Sequence, residues 1–511
     1  SIWDWHRLPQ YVDPRYTDYA RANASIGING TVLTNVNANA LLITPMYLEK
    51  VKVLADLFRP YNLKVYLTAR FSAPMEIGGL KTADPLDPEV RQWWKTKVDE
   101  IYKYVPDFGG FVVKANSEGQ PGPQNYSRTH ADGANMLAEA VAPHNGIVMW
   151  RAFVYDSNVP DDRAKQAYSE FKPLDGKFND NVIVQVKNGP IDFMPREPVH
   201  PLFGAMKTTP LMMELQITQE YLGQATTLVF LPMLWKENID QADLKKSNAL
   251  KAICGVSNIG NDRNWTGHLF GQSNWYGFGR LAWDYETSSL EIANDWTRMT
   301  FTNNNDVVKD ISWMMITSHE TVVKYMTPLG LHHIMGANHH FGPGPWVSKM
   351  SRSDWTSTYY HKADSLGIGF NRTSTGSNAI EQYSPETQKK FNDEKFLLWF
   401  NHVPWDHKMK SGQTLWDEIC TNYAAGVEEV KGLQKTWSSL ASNIDADRFK
   451  HVTMLLERQK DEAELWRNSC ILYFQTFSKR ALPNGVDTGN KPLEYYINLS
   501  YPYAPGIRPR W

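Results

Sequence analysis

Cysteine is almost absent: Cys254, Cys420 and Cys470 are the only three in 511 residues. They stand far apart without a CxxC spacing, and at least one thiol is left over. That argues against a disulfide framework and against a zinc–cysteine site. An excess of charge is lacking too. Lys and Arg number 53 against 55 Asp and Glu, whereas nucleic acid or an anionic membrane as main partner would favour a strong basic excess. No apolar run approaches the length of a membrane span. The opening Ser1-Ile-Trp-Asp-Trp is not a signal peptide, and because it does not begin with Met it says little about export. The low cysteine content favours a cytoplasmic site and leaves export open.

What the chain has in plenty is aromatic surface: 13% Phe, Trp and Tyr, with 19 Trp. Such residues serve sugar-binding clefts, and large cores consume them equally well. The length suffices for more than one structural unit, one of which could be a barrel of roughly 250 residues.

The first half repeats a beat of short apolar strand, polar loop and amphipathic helix. Strands are predicted at 27–36, 63–71, 108–113, 146–150, 181–186 and 210–217, with a weaker one at 252–256. Their composition suggests burial on both faces, as in parallel sheets. Thr44-Pro45 and Asp87-Pro88 each offer an N-cap followed by proline at the first helical position. The alternation predicts a parallel α/β fold, and six or seven repeats favour a closed (β/α)8 barrel over a doubly wound sheet. No GxGxxG or GxxxxGK[ST] follows any strand, which weakens a nucleotide-binding reading. A full barrel needs eight strands, and residues 14–24 before the first candidate read as helix, so the first strand is expected to be missing. After about Tyr285 long helical patterns take over, clearest at 413–437 and 445–477. The expected division is a barrel domain at 1–285 and a helical C-terminal domain at 286–511.

Chemistry gathers just past the strands. Lys114 ends one, with Glu118 four residues on; Arg151 ends the next; Lys187 follows, with Asp192 behind it; Glu214 and Glu220 close another. In a parallel barrel all these ends open onto the C-terminal face, where active sites are built. Three cations suit an anionic group such as a carboxylate, which arginine can grip bidentately. Carboxylates in the same cleft suit acid and base catalysis on a glycosidic bond. For any one residue, pairing on the barrel rim is the plainer reading; the repetition over three strands is what favours a site.

These stretches closely resemble the α-glucuronidases of glycoside hydrolase family 67: KANSEGQPGP (114–123), VMWRAFVYD (148–156), VQVKNGPIDF (184–193) and ELQITQEYLGQ (214–224). IGGLKTADPLDP (77–88), WYGFGRLAWD (275–284) and HHIMGANHHFGPGPW (332–346) extend the likeness over essentially the whole chain. The resemblance implies removal of glucuronic acid, or its 4-O-methyl ether, from the non-reducing end of glucuronoxylan-derived oligosaccharides, with inversion. It implies Glu118 as general acid and Asp192 and Glu220 as the water-side carboxylates, either of which could be the base. Lys114, Arg151 and Lys187 would hold the uronate, and Val36 would pack against the sugar's 4-position. No metal or organic cofactor is implied, and a homodimer through the C-terminal helices is. The family carries an N-terminal domain and a first barrel strand ahead of the point matching Ser1, so the natural protein is expected to be longer.

Other features weigh less. His332, His333, His339 and His340 form a cluster, but the spacing is not HExxH and no acidic ligand lies nearby. A loop lining the cleft is the favoured reading. Trp150 and Trp275 are as suited to core as to sugar stacking. The sequons at Asn23, Asn29, Asn125, Asn264, Asn371 and Asn498 fall partly in strands or cleft loops, which favours chance. A binding protein for acidic oligosaccharides is the rival class, yet it would need the cations and not Glu118 opposite Asp192 and Glu220.

Overall fold

A computed structural model describes residues 2–155, 162–242, 249–260, 262, 264–337 and 340–501. Seven parallel strands pair in chain order. They are β1 (Gly30–Val32), β2 (Lys64–Thr68), β3 (Gly110–Val113), β4 (Ile147–Arg151), β5 (Val182–Lys187), β6 (Leu211–Gln216) and β7 (Leu250–Val256). With helices between successive strands the sheet curls into a TIM-like barrel, as the alternation predicted. Among the described residues no pairing joins β7 to β1. Helical elements meet there instead: Trp275 Nε1, on the helix Gly271–Trp283, donates to Asn23 Oδ1 at 3.0 Å, and Trp283 Nε1 donates to the carbonyl of Gly27.

Side-chain parity divides the sheet into two faces, because successive residues of a strand point oppositely. Phe111, Val113, Val148, Trp150, Val182, Val184, Val186, Leu211, Met213 and Leu215 belong to the large core shared with the helices. Val112, Met149 and Met212 form a separate, smaller cluster inside the curl, bordered by Val32, Val36, Tyr66, Ile183 and Cys254. β3 and β6 are buried at every residue, as expected, but β7 is half-exposed along much of its length because it lies at the sheet's edge.

Helix starts follow local chemistry. Asp87 accepts from the N–H groups of Glu89 and Val90, satisfying two of the four orphan donors at the start of Pro88–Tyr104. Thr44 stands at the N-cap of Pro45–Phe58 without a side-chain cap; its hydroxyl turns back to the carbonyl of Leu41. Beyond β7 the chain is mainly helical, with one two-stranded pairing of β8 (Gly367–Ile368) and β9 (Val403–Pro404). Helices Leu415–Ser439 and Ala446–Ser478 pack on each other and on Asn305–Met326. No described helix is long and apolar enough to cross a membrane.

The helical region holds the barrel loop that follows β6. Gln459 binds both backbone groups of Leu228, Ser318 accepts from the N–H of Phe230, and Asn274 accepts from that of Leu231. Glu462 accepts from the Thr226 hydroxyl and from Arg458. Burial pushes the Glu462 carboxyl up to about 7, the hydroxyl and guanidinium only partly opposing it. A folded-state value above the unfolded one means that this group's contribution is complete below about pH 4.5 and is lost as the pH rises through about 7. Glu462→Gln is therefore expected to flatten the fall in melting temperature between pH 5 and 8. At pH 8 it should recover on the order of 3 kcal/mol. Thermal melts of both proteins across that range check it.

Candidate active site

The strand-end residues converge because parity places them so. Lys114 lies two residues beyond Val112, Arg151 two beyond Met149, and Glu214 and Gln216 two and four beyond Met212. Each inward row thus runs from apolar at the bottom to charged or polar at the top. The register sets Arg151 beside Gln185 and Lys187 beside Glu214.

Every cation meets a carboxylate. Lys114 Nζ binds Glu118 Oε2 and donates to Asn37 Oδ1 at 3.1 Å. Arg151 grips Glu214 through two parallel bonds, Nε to Oε2 at 2.9 Å and Nη2 to Oε1 at 2.6 Å. Gln185 Nε2 adds a third donor to Glu214 at 2.5 Å. The fork expected to meet a ligand is therefore occupied from below, and among the described residues no hydrogen bond uses Arg151 Nη1. Lys187 Nζ binds Asp192 Oδ1 and lies 3.3 Å from the centroid of the Phe153 ring. That ring also lies within 5.9 Å of Lys114 and 5.2 Å of Arg151, so one aromatic ring neighbours all three cations. The sequence reading did not single out Phe153.

Exposure separates the roles. The Lys114, Arg151 and Lys187 side chains are only 3%, 7% and 5% exposed, whereas Glu118 and Glu220 keep 30% and 31%. The cations are sunk in the barrel mouth, and these two carboxylates face open space. Burial alone would raise the Glu214 carboxyl; the Arg151 guanidinium, with Lys187 and the Gln185 amide, outweighs it and holds the group below its ordinary value. Burial also acts on Asp192, but Lys187, Arg163 and the Tyr221 hydroxyl together hold it far below the usual carboxylate range. Lys187 itself is lowered, by burial first and by neighbouring Arg151, with Asp192 opposing.

Asp192 and Glu220 belong to one network. Tyr221 OH donates to Asp192 Oδ2 at 2.6 Å, and the Tyr221 ring stacks on His340 with centroids 4.4 Å apart. His340 Nδ1 lies 3.0 Å from Glu220 Oε1, while Gln216 Nε2 donates to Oε2 at 3.2 Å. The Glu118 N–H contacts the carbonyl of Tyr155, which also accepts from Arg352. Behind Asp192 lies a buried carboxylate that gave no sequence signal. Glu197 accepts from the N–H groups of Ile191, Asp192 and Met194 at 2.7, 3.0 and 2.8 Å.

Other candidates resolve differently. Trp150 is wholly buried and donates to His130, so it is no sugar platform, while the half-buried Trp275 serves the contact with Asn23. Val36 borders the apolar cluster inside the curl, half-buried at the mouth. His332 and His333 are buried, His332 against Gly330 and Arg372, and His339 lies outside the described residues. Among the described residues no group of three His, Cys, Asp or Glu could hold a metal ion. The cleft-lining reading of that segment holds for His340.

The fold and the mouth define a parallel-barrel protein with a site of paired carboxylates and cations. A solved GH138 enzyme targeting pectin rhamnogalacturonan II shares the fold, with a TM-score of 0.53 over 93% of this chain and 56% of that one, at 14% identity. The chain belongs to glycosyl hydrolase family 67: residues 1–265 match the family's middle domain and 266–487 its C-terminus. It is 39% identical over 525 residues to alpha-glucuronidase A of Emericella nidulans, covering 96% of this chain and 61% of that protein. It is 40% identical over 479 residues to alpha-glucuronidase A of Aspergillus tubingensis, covering 88% and 56%. The chain thus spans about three-fifths of the length of the curated relatives it matches.

Proposed function

We propose that this chain carries the catalytic part of an inverting α-glucuronidase. Its substrate is α-1,2-linked glucuronic acid, or the 4-O-methyl ether, at the non-reducing end of glucuronoxylo-oligosaccharides. The observation that carries the reading is the row of three sunken cations beneath two carboxylates that face open space. The cations suit a uronate, with Arg151 Nη1 as the free nitrogen of a guanidinium already fixed by Glu214. Glu118 donates a proton to the leaving oxygen. Asp192 and Glu220 stand on the water side, where one of them takes the proton of the attacking water. Val36 packs against the sugar's 4-position. No metal or organic cofactor takes part. The barrel unit comprises 1–285 and the helical unit 286–511, the latter forming the interface of a homodimer.

Proton NMR of the sugar released from aldotetraouronic acid tests this. The parent chain is expected to release β-configured glucuronic acid first. Glu118→Ala should lower the rate by roughly 10²–10⁴-fold, the range for loss of a general acid. Release of the α-anomer would overturn inversion, and binding without release would favour an oligosaccharide-binding protein.

A further inference from the structure

We propose that Glu220 is the base and that His340, reaching in from the helical region, is the positioning residue that makes it so. The inference rests on the glucuronidase reading and deepens it, since that reading leaves Asp192 and Glu220 equal. Their surroundings are not equal. Asp192 is held at one oxygen by the Lys187 ammonium and at the other by the Tyr221 hydroxyl. A carboxylate tied at both oxygens, one of them to a cation, gains little by taking a proton, whereas Lys114 binds only Oε2 of Glu118 and leaves Oε1 to carry one. Glu220 is held by groups that carry no fixed charge: the Gln216 amide on Oε2 and the His340 imidazole on Oε1. With its proton on Nδ1, the ring donates to Oε1 and fixes the carboxylate's orientation without placing an ammonium on it.

Two further observations support the arrangement. Gln216 Oε1 is buried with no hydrogen-bond partner among the described residues, beside the same carboxylate. The backbone of His340 lies at φ 53°, in the left-handed region, which few non-glycine residues adopt unless the surroundings hold them there. Its ring is locked between the stack on Tyr221 and the bond to Glu220, with His333 the next ring at 6.3 Å. In the proposed step the water oxygen bonds to the anomeric carbon while one water proton passes to Glu220. The bond from the anomeric carbon to the leaving oxygen breaks, and that oxygen takes the proton of Glu118.

Azide separates the possibilities, because it attacks as an anion and has no proton to give up. The parent, Glu220→Ala, Asp192→Ala, His340→Phe and His340→Asn would be compared on aldotetraouronic acid with and without sodium azide. Glu220→Ala should be nearly inactive in water and regain activity with azide, yielding the β-glucuronosyl azide; Asp192→Ala should not regain it. His340→Phe keeps a ring to stack on Tyr221 but loses the N–H. Its kcat should fall about 10- to 100-fold, with KM little changed, for loss of a hydrogen bond to a charged group, and azide should restore little of it, because the Glu220 carboxylate still fills the place azide would take. His340→Asn supplies an N–H near the Nδ1 position and tolerates the left-handed backbone, so it should stay close to the parent. Rescue of Asp192→Ala rather than Glu220→Ala would overturn the assignment to Glu220. His340→Phe as active as the parent, or His340→Asn as impaired as His340→Phe, would overturn the role of His340. If the parent chain turns over no glucuronide, the underlying reading fails and this inference with it.

Discussion

Arg151→Met is expected to cost both activity and stability, and the two losses should be separable. The guanidinium is buried against Glu214, which Gln185 also contacts, so removing it leaves a carboxylate in the barrel without its counter-charge. Breaking a buried pair from one side typically costs about 3–5 kcal/mol, far more than the pair's net worth. Activity should fall further, because Arg151 is proposed to hold the uronate: a loss of roughly 10²–10³-fold in kcat/KM corresponds to truncating one partner of a desolvated charge pair. Glu214→Leu in the same chain removes the stranded carboxylate. The double variant should regain most of the melting temperature and none of the activity. If it regains activity as well, Arg151 is a structural partner of Glu214 and does not touch the substrate. Melting curves and kcat/KM on aldotetraouronic acid for the two single variants and the double decide it.

How far the sequence could reach follows from periodicity. Lys114, Arg151 and Lys187 were legible because each ends a strand whose inward row can be counted in steps of two from an apolar residue. The same counting turns Glu214 inward, yet only the structure shows that it binds Arg151 and leaves Glu220 facing open space. Glu197, Tyr221 and His340 lie in loops, where no period links position to direction. The histidine cluster marked its loop as worth attention, but which ring reaches the cleft depends on how the helical region closes over the segment after β6. The predicted strands at 27–36 and 63–71 run wider than β1 and β2, because apolar composition continues past the last ladder bond. The half-exposure of β7 was hidden for a related reason. Composition reports what a strand could bury, while its neighbours decide what it does bury.

Glu197→Ala is expected to be as damaging as loss of a catalytic group, although Glu197 lies behind the site. Its two oxygens take three backbone N–H groups from the loop that carries Asp192, and its side chain is fully buried. Between those donors Phe193 sits at φ 57°, a conformation that costs a non-glycine residue about 1–3 kcal/mol unless the surroundings enforce it. Alanine would leave three buried donors unpaired, each costing about 1–3 kcal/mol. The loop would then relax toward a left-handed-free backbone and draw Asp192 away from Lys187 and Tyr221. Activity should fall by roughly 10²-fold or more, as expected when a reacting geometry shifts by about an ångström, and the melting temperature should drop as well. Glu197→Gln is the informative control. Its single carbonyl oxygen can keep the bonds from Asp192 and Met194, which share Oε1, while its amide faces the N–H of Ile191 and loses that bond. An intermediate variant would locate the effect in the loop. If Glu197→Gln matched Glu197→Ala, the negative charge itself would be what the three N–H groups require. If both variants kept parental activity, Asp192 would be placed by Lys187 and Tyr221 alone.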